Sequence, residues 1–208
     1  MNVYVTDKRS EEHNYVPHYE EAFESLRNKE LKVLEIGIFR PYGETRKDAA
    51  VGASLKTWKD YFSKSMIYGI DISDFSDINE DRLFTWICDQ ESRPQLQNFI
   101  NISDSEFDII IDDGGHLMRQ HQVSIGFLFK HLKQGGIYVI EDLHSCDMPY
   151  CRRDDESTID VMNRFTETGS FHGKHILPEE AEYLSNNIER IDIKMAAYSE
   201  IAFIYKKK

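Results

Sequence analysis

Six residues, Ile111 to His116 (IDDGGH), place two carboxylates and an imidazole just past the end of an apolar run. Carboxylates hold cations or protons, and an imidazole, with an ordinary pKa of about 6.5, can accept a proton near neutral pH. An acid pair opening into Gly-Gly and then His is therefore the layout of a reaction centre. A second cluster, IEDLH at Ile140 to His144, also follows an apolar run, and Asp113 and Glu141 are 28 residues apart. That interval suits one helix plus one strand of an α/β fold. Two strand ends separated by one helical crossover lie side by side in a parallel sheet. Both acidic clusters then open on the carboxyl-end edge, where open α/β sheets bind ligands.

The elements that must position these clusters can be read from periodicity. Tyr19, Ala22, Phe23 and Leu26 recur at helical spacing behind Pro17, which predicts a helix from about His18 to Arg27. Leu31 to Ile38 reads as a buried strand, the stretch from Arg40 to Val51 as a long loop, and Ser54 to Phe62 as a helix with Ser54 as its N-cap. Met66 to Ile70 and Arg82 to Cys88 are strands followed by Asp71 and Asp89. Phe107 to Asp112 and Gly135 to Glu141 are near-continuous apolar strands, as expected when helices cover both faces of a sheet. Between them Met118, Ile125, Leu128 and Leu132 fit one helical face, stopped by Gly135-Gly136. Beyond Asp142 the chain is polar and irregular apart from a helix over Ser157 to Thr168, so 144–178 is expected to form a lid. Arg190 to Ala196 and Glu200 to Tyr205 form an antiparallel hairpin, and the final Lys-Lys-Lys reads as a solvated end.

Composition narrows the function. A chain of 208 residues suits one domain. Its 25 Lys plus Arg against 37 Asp plus Glu give a formal charge of −12, which repels a phosphate backbone and argues against a nucleic-acid partner. No apolar stretch approaches the roughly 20 residues that span a bilayer, and MNVYVTDKRS lacks the apolar core of a signal peptide. The expectation is a soluble, cytoplasmic protein without a membrane partner. Cys88, Cys146 and Cys151 read as plain thiols, and the His172/His175 pair, with Gly173 between them, is assigned no role.

The strand ends suggest what the edge binds. Glu35-Ile-Gly37 closes the first strand with a glycine where a backbone must approach a cofactor closely, although the three-glycine dinucleotide fingerprint is missing. Asp71, at the end of the second strand, is placed to bond both hydroxyls of a ribose. Asp89 and Gln90 sit where a carboxylate and an amide could meet an adenine ring, and Asp112 is the strand-end residue next to the cofactor in a supporting role. Each of these residues taken singly reads equally as structural; their recurrence at successive strand ends is the signal.

At this point the chain resembles the metal-dependent macrolide deoxysugar O-methyltransferases and the wider group that includes cephalosporin-hydroxylase-like proteins. The matching segments are TDK at Thr6 to Lys8 with the following YVPHYEEAF, then LEIGI, GASLKTWKDYF, IYGIDI, Asp89-Gln90, IDDGGH and YVIEDLH, covering most of the chain to about His144. The fold implied is α/β, a Rossmann-like class I methyltransferase: a mostly parallel seven-stranded sheet with a C-terminal antiparallel hairpin and helices on both faces. It forms a single domain over 1–208, with an N-terminal cap segment (1–30) and the substrate lid (144–178). Two features depart from the family: the insertion around Arg40 to Val51, and Gly115, where many relatives have Ser.

The resemblance implies S-adenosylmethionine and Mg²⁺ as cofactors, with Asp113, Glu141 and Asp142 as metal ligands. An all-oxygen set suits a hard ion, and the alternative for these three is solvated acids at loop starts. The chemistry implied is methyl transfer to a hydroxyl of a small-molecule or glycan acceptor. A cation favours the alkoxide-like form of a hydroxyl, and His116 is the general base that takes its proton. His144 and Tyr150 follow the metal cluster and stand near the acceptor, while Thr6, Asp7 and Tyr15 help close the cofactor pocket. Assembly into a homo-oligomer is compatible with this fold. A metal-dependent hydroxylase on the same scaffold and a non-catalytic binding module are the competing readings.

Overall fold

The computed structural model describes residue 8 and residues 14–38, 51–103, 106–152, 155–196 and 198–208. Thr6, Asp7 and nearly all of the 40–51 insertion lie outside the described residues. In chain order the elements are α1 (Val16–Phe23), β1 (Lys32–Ile36), α2 (Ala53–Tyr61), β2 (Met66–Asp71), β3 (Leu83–Ile87), α3 (Arg93–Ser103) and β4 (Phe107–Asp112). They continue with α4 (Met118–Leu128), β5 (Leu132–Ile140), α5 (Pro149–Arg152), α6 (Thr158–Thr168), α7 (Pro178–Asn187), β6 (Ile188–Met195) and β7 (Glu200–Lys206). The strands form one seven-stranded sheet in the order β3-β2-β1-β4-β5-β7-β6. The first five strands pair in parallel, and β7 is antiparallel to both β5 and β6.

The expected sheet and hairpin are therefore present. Alternation along each strand feeds two separate cores. Leu34, Ile36, Ile110, Tyr138 and Ile140 pack on one face with Leu96 and Phe99 of α3, Ile125 of α4, Val161 of α6 and Leu184 of α7. Val33, Ile109, Ile111, Ile137 and Val139 pack on the other with Tyr19 and Phe23 of α1 and Trp58 of α2. That arrangement explains why β4 reads as an unbroken apolar run.

Local differences from the sequence reading have identifiable causes. The crossover helix ends at Leu128 and passes through a 3-10 turn, and β5 starts at Leu132, so the two glycines lie inside the strand and do not stop the helix. The N-cap of α2 is Gly52, in a left-handed conformation, because the Ser54 hydroxyl donates instead to Glu35 at 2.7 Å. Two helices, α3 and α7, are additions to the sequence reading; a bidentate ion pair from Arg93 to Glu180, 2.7 Å at each oxygen, ties them together. Lys206 is not a solvated tail residue. Its ammonium is buried and donates to the carbonyls of Phe129 (3.1 Å) and Leu132, closing the turn between α4 and β5. Among the described residues no helix is long and apolar enough to cross a membrane.

Two imidazoles are held neutral by this packing. Burial pushes His121 and His131 down to about 4, against opposing acids at His121 and assisted by Lys130 and Lys206 at His131. Unfolded, both titrate near 6.5, so between about 6.5 and 4 the unfolded chain takes up more protons than the folded one. Their contribution to stability is intact above about 6.5 and is lost as the pH falls toward about 4. Thermal melts of the wild type and His131→Gln from pH 7 to 4.5 should show a shallower pH slope in the variant; equal slopes would contradict this assignment.

Candidate active site

The chain order runs outward from β1 to β3 and then returns to β4 beside β1, so the sheet reverses direction between β1 and β4. That gap is the switch point at which such sheets bind ligands. Asp112 stands opposite Ile36 on one side and Ile140 on the other, which brings the acids after β4 and β5 next to each other as the spacing predicts. The backbone N–H of Asp113 donates to Ile36 O at 3.0 Å, and that of Glu141 to Asp112 O at 3.0 Å. These bonds extend the pairing of the three strands to the very edge of the sheet.

Gly37 sits at the crossing. Its φ is +91°, and a Cβ placed there would lie 2.1 Å from Asp113 O and 2.7 Å from Asp113 C. The glycine is thus demanded by the approach of the β1 and β4 turns.

Successive residues at each strand end point to opposite faces, and this sorts the predicted site residues. Asp112 is fully buried and turned to the helix side; it accepts from Gln90 Nε2 (3.1 Å), the Ser124 hydroxyl and Tyr138 OH (3.4 Å). Gln90 spends its other end on the N–H of Gly115 at 2.9 Å, so Asp112 and Gln90 shape the 112–116 turn from below and do not face the edge. Glu35 is likewise fully buried, accepting from Ser54 Oγ, Trp58 Nε1 (3.1 Å) and the Lys8 ammonium (3.3 Å). Asp71 and Asp89 do reach the edge. Asp71 accepts from the N–H groups of Ile38 (2.9 Å) and Ser73 (2.8 Å), and Asp89 from that of Glu91 (2.9 Å). Beside Asp71 stands Ile72, an exposed apolar side chain that the sequence reading passed over.

The remaining acids form two constellations that share Asp113. In one, Asp113, His116 and Asp142 can bring one donor atom each to within 4.8 Å of one another; in the other, Glu35, Asp113 and Glu141 do the same. The predicted trio Asp113, Glu141 and Asp142 is thus split. Asp142 Oδ2 is 3.4 Å from His116 Nε2, and Asp113 Oδ1 is 4.0 Å from it. Glu141 turns away toward Lys8, whose Nζ lies 2.5 Å from Glu141 Oε1 and 2.6 Å from Asp113 Oδ2. Burial opposes charge on Lys8, but the carboxylates of Asp113, Glu141 and Glu35 outweigh it and hold the ammonium well above its ordinary pKa. Burial, with Asp113 beside it, raises Glu141 despite the lysine.

The helix α1 supplies the donors that fix the acids. Tyr15, just ahead of it, and Tyr19 are four residues apart and share one helical face, while Asp142 and Glu141 are adjacent. Tyr15 OH donates to Asp142 Oδ1 at 2.7 Å, and Tyr19 OH to Glu141 Oε1 at 2.5 Å. Ser199, in the β6–β7 turn, bonds both Tyr15 OH and, at 2.7 Å, His144 Nδ1. Asp142 and His116 both adopt left-handed backbone, with φ of +55° and +56°. Strain of this kind persists only where the surroundings enforce it, and it concentrates at working sites.

The donor set suits a small divalent cation: two carboxylates converge on the Nε2 side of His116, whose Nδ1 is buried with no hydrogen-bond partner among the described residues. A cavity of about 290 Å³ lies among Glu91, Leu117, Arg119, Cys151, Asp155, Lys174 and His175. The 144–178 segment therefore walls a space that begins one residue after His116. All three cysteines are free, and His172 takes no part in the site. Tyr150 is two-thirds exposed. Sequence reasoning missed Lys8 and Tyr19 as site residues; the signal available was the four-residue spacing of Tyr15 and Tyr19.

No protein-family model matches the chain. It is 34% identical over 206 residues to demethylmacrocin O-methyltransferase of Streptomyces fradiae, an alignment covering 98% of this chain and 51% of that protein. It is 38% identical over 146 residues to mycinamicin VI 2''-O-methyltransferase of Micromonospora griseorubida, covering 70% of this chain and 35% of that one. Among solved structures it is similar to the MycE methyltransferase of the mycinamycin biosynthetic pathway in complex with Mg, SAH and mycinamycin VI. The TM-score is 0.80 with 29% identity, over 99% of this chain and 52% of the other. The chain spans about half the length, or less, of the curated relatives it matches.

Two substitutions test the geometry. Gly37→Ala combines a positive φ with a backbone clash, each worth about 1–3 kcal/mol, and should lower Tm by roughly 5–15 °C. A melt within 2 °C of wild type would show that the two turns can separate freely. Tyr15→Phe removes a donor to the partly buried Asp142 carboxylate and should cost about 1.5–3 kcal/mol in urea denaturation, whereas no loss would mean that Tyr15 does not hold Asp142.

Proposed function

From its class I methyltransferase fold and its kinship, over about half their length, with O-methyltransferases of macrolide sugars, we propose that the chain binds S-adenosylmethionine and a divalent cation and methylates a sugar hydroxyl. The observation that carries this reading is the convergence of Asp113, His116 and Asp142 at the switch point between β1 and β4. The acceptor is a glycosylated small molecule, in keeping with the mycinamycin VI bound in the similar structure.

The adenosine half of the cofactor is assigned to the ends of β1 to β3. Gly37 leaves the backbone bare, Asp71 keeps lone pairs beyond those used by Ile38 and Ser73 for a ribose, and Asp89 stands at the purine. Ile72, 74% exposed beside Asp71, is the apolar surface for the ring. Glu35, Gln90 and Asp112 act one step back, by holding the turns that make these contacts.

Asp113 and Asp142 hold the cation, for which Mg²⁺ fits the oxygen donors; Glu141 reaches it only by leaving Lys8. When bound, such an ion lowers the pKa of a hydroxyl that approaches it. S-adenosylmethionine, when bound, would supply the methyl group and leave as S-adenosylhomocysteine, and His116 would accept the proton of the acceptor hydroxyl. Asp142, 3.4 Å from His116 Nε2, stabilises the imidazolium that results. Tyr15 and Ser199 keep that carboxylate in place. The lid over 144–178 narrows access to the site and excludes water.

With demethylmacrocin or mycinamicin VI as acceptor, methyl transfer should be abolished by EDTA and restored by Mg²⁺. His116→Ala should lower kcat by about 10²–10⁴-fold while leaving the calorimetric affinity for S-adenosylhomocysteine unchanged. Activity untouched by complete metal removal would overturn the metal role, and full activity in the alanine variant would overturn the assignment of the base.

A further inference from the structure

Lys8 is a charged group at this site to which the proposed reaction gives no task, yet its side chain is only 3% exposed. Its ammonium lies 2.6 Å from Asp113 Oδ2, 2.5 Å from Glu141 Oε1 and 3.3 Å from Glu35 Oε1. Burying a lysine head is unfavourable unless acids surround it, and burying three acids together is unfavourable without a cation among them. Each therefore stabilises the other, and the lysine fills the place where opposite charge is most needed.

A hard divalent cation makes the same demand on the same oxygens. It binds carboxylate oxygens at about 2.0–2.1 Å, a distance that leaves no room for an ammonium on the same lone pairs. Asp113 could still serve both, Oδ2 toward Lys8 and Oδ1 toward His116 and Asp142, but the two positive charges would then sit a few ångströms apart. Glu141 offers less choice, because its Oε1 receives both Lys8 and Tyr19.

We infer that Lys8 is an internal counter-ion that competes with the divalent cation for Asp113 and Glu141, positioning these carboxylates until the cation takes them. The inference rests on the proposed function only in that the Asp113 carboxylate helps hold a divalent cation. Lys8 weakens the apparent affinity of the site and keeps the acids together in the metal-free protein. With a cation bound, Glu141 would exchange the ammonium for a place beside Asp113 and Asp142.

The test uses the full chain and Mn²⁺ as the probe, with free Mn²⁺ followed by electron paramagnetic resonance. Lys8→Met, which keeps the length and removes the charge, should bind Mn²⁺ about tenfold more tightly than wild type. Lys8→Arg, which keeps the charge, should bind no more tightly than wild type. A merely structural lysine predicts the reverse for Lys8→Met, since a disordered site binds less well. Equal or weaker binding by Lys8→Met, with wild type binding normally, overturns the competition and leaves the metal role standing. Absence of Mn²⁺ binding in all three proteins overturns the metal reading and this inference together. Should Lys8→Met fail to fold, the wild type decides alone: its buried ¹⁵N-labelled lysine ammonium signal should disappear into fast water exchange as Mg²⁺ is added, and a signal that persists at saturating Mg²⁺ overturns the proposal.

Discussion

Four carboxylates, Glu35, Asp113, Glu141 and Asp142, converge at the ends of three neighbouring strands, and the repulsion among them is the constraint around which this edge of the molecule is built. Glu35 and Glu141 are almost completely buried. Charges placed so close, out of water, are tolerated only if donors and cations surround them. The chain meets the demand from several directions. Lys8 arrives from the N-terminal region, Trp58 and Ser54 from α2, Tyr15 and Tyr19 from the start of the chain, and Ser199 from the last hairpin. Elements far apart in sequence are thus fastened to one another through the acids.

Backbone geometry decides which acid does what. In a strand, successive side chains leave on opposite faces, so the doublet Asp112-Asp113 divides into a buried anchor and an edge residue. Asp112 is bound by Gln90, Ser124 and Tyr138 and fixes the turn, while Asp113 stands at the edge and belongs to both constellations. Glu141-Asp142 divides too, but there the left-handed conformation of Asp142 makes the split. Tyr15 and Tyr19, one helical turn apart, then reach one acid each.

The large features were legible because they repeat. Apolar runs gave the five parallel strands, and the interval between IDDGGH and IEDLH gave the adjacency of their ends. The hairpin was visible in two β-patterned runs, Arg190 to Ala196 and Glu200 to Tyr205, with a short polar turn between them. What could not be read were contacts that depend on a third dimension. Glu35 and Gln90 look from sequence like cofactor ligands, yet Ser54, Trp58 and Gly115 hold them inside. Lys8 looks like one charge in a charged stretch. Lys206 looks like a tail, although cross-strand pairing of β7 carries it over the carbonyls of Phe129 and Leu132. Helices α3 and α7 lie outside the sequence reading, although α3 buries Leu96, Phe99 and Ile100 at helical spacing; an ion pair joins the two.

The edge formed by β1, β4 and β5 is the proposed cation site for methyl transfer to a hydroxyl. Its most direct test is a crystal of the chain grown with S-adenosylhomocysteine and Mn²⁺, with data collected to locate the manganese by its anomalous scattering. The account predicts one strong peak between the carboxylates of Asp113 and Asp142, within reach of His116, and the adenosine laid over Asp71 and Ile72. A manganese peak remote from Asp113, or the adenosine bound on another edge of the sheet, would contradict it.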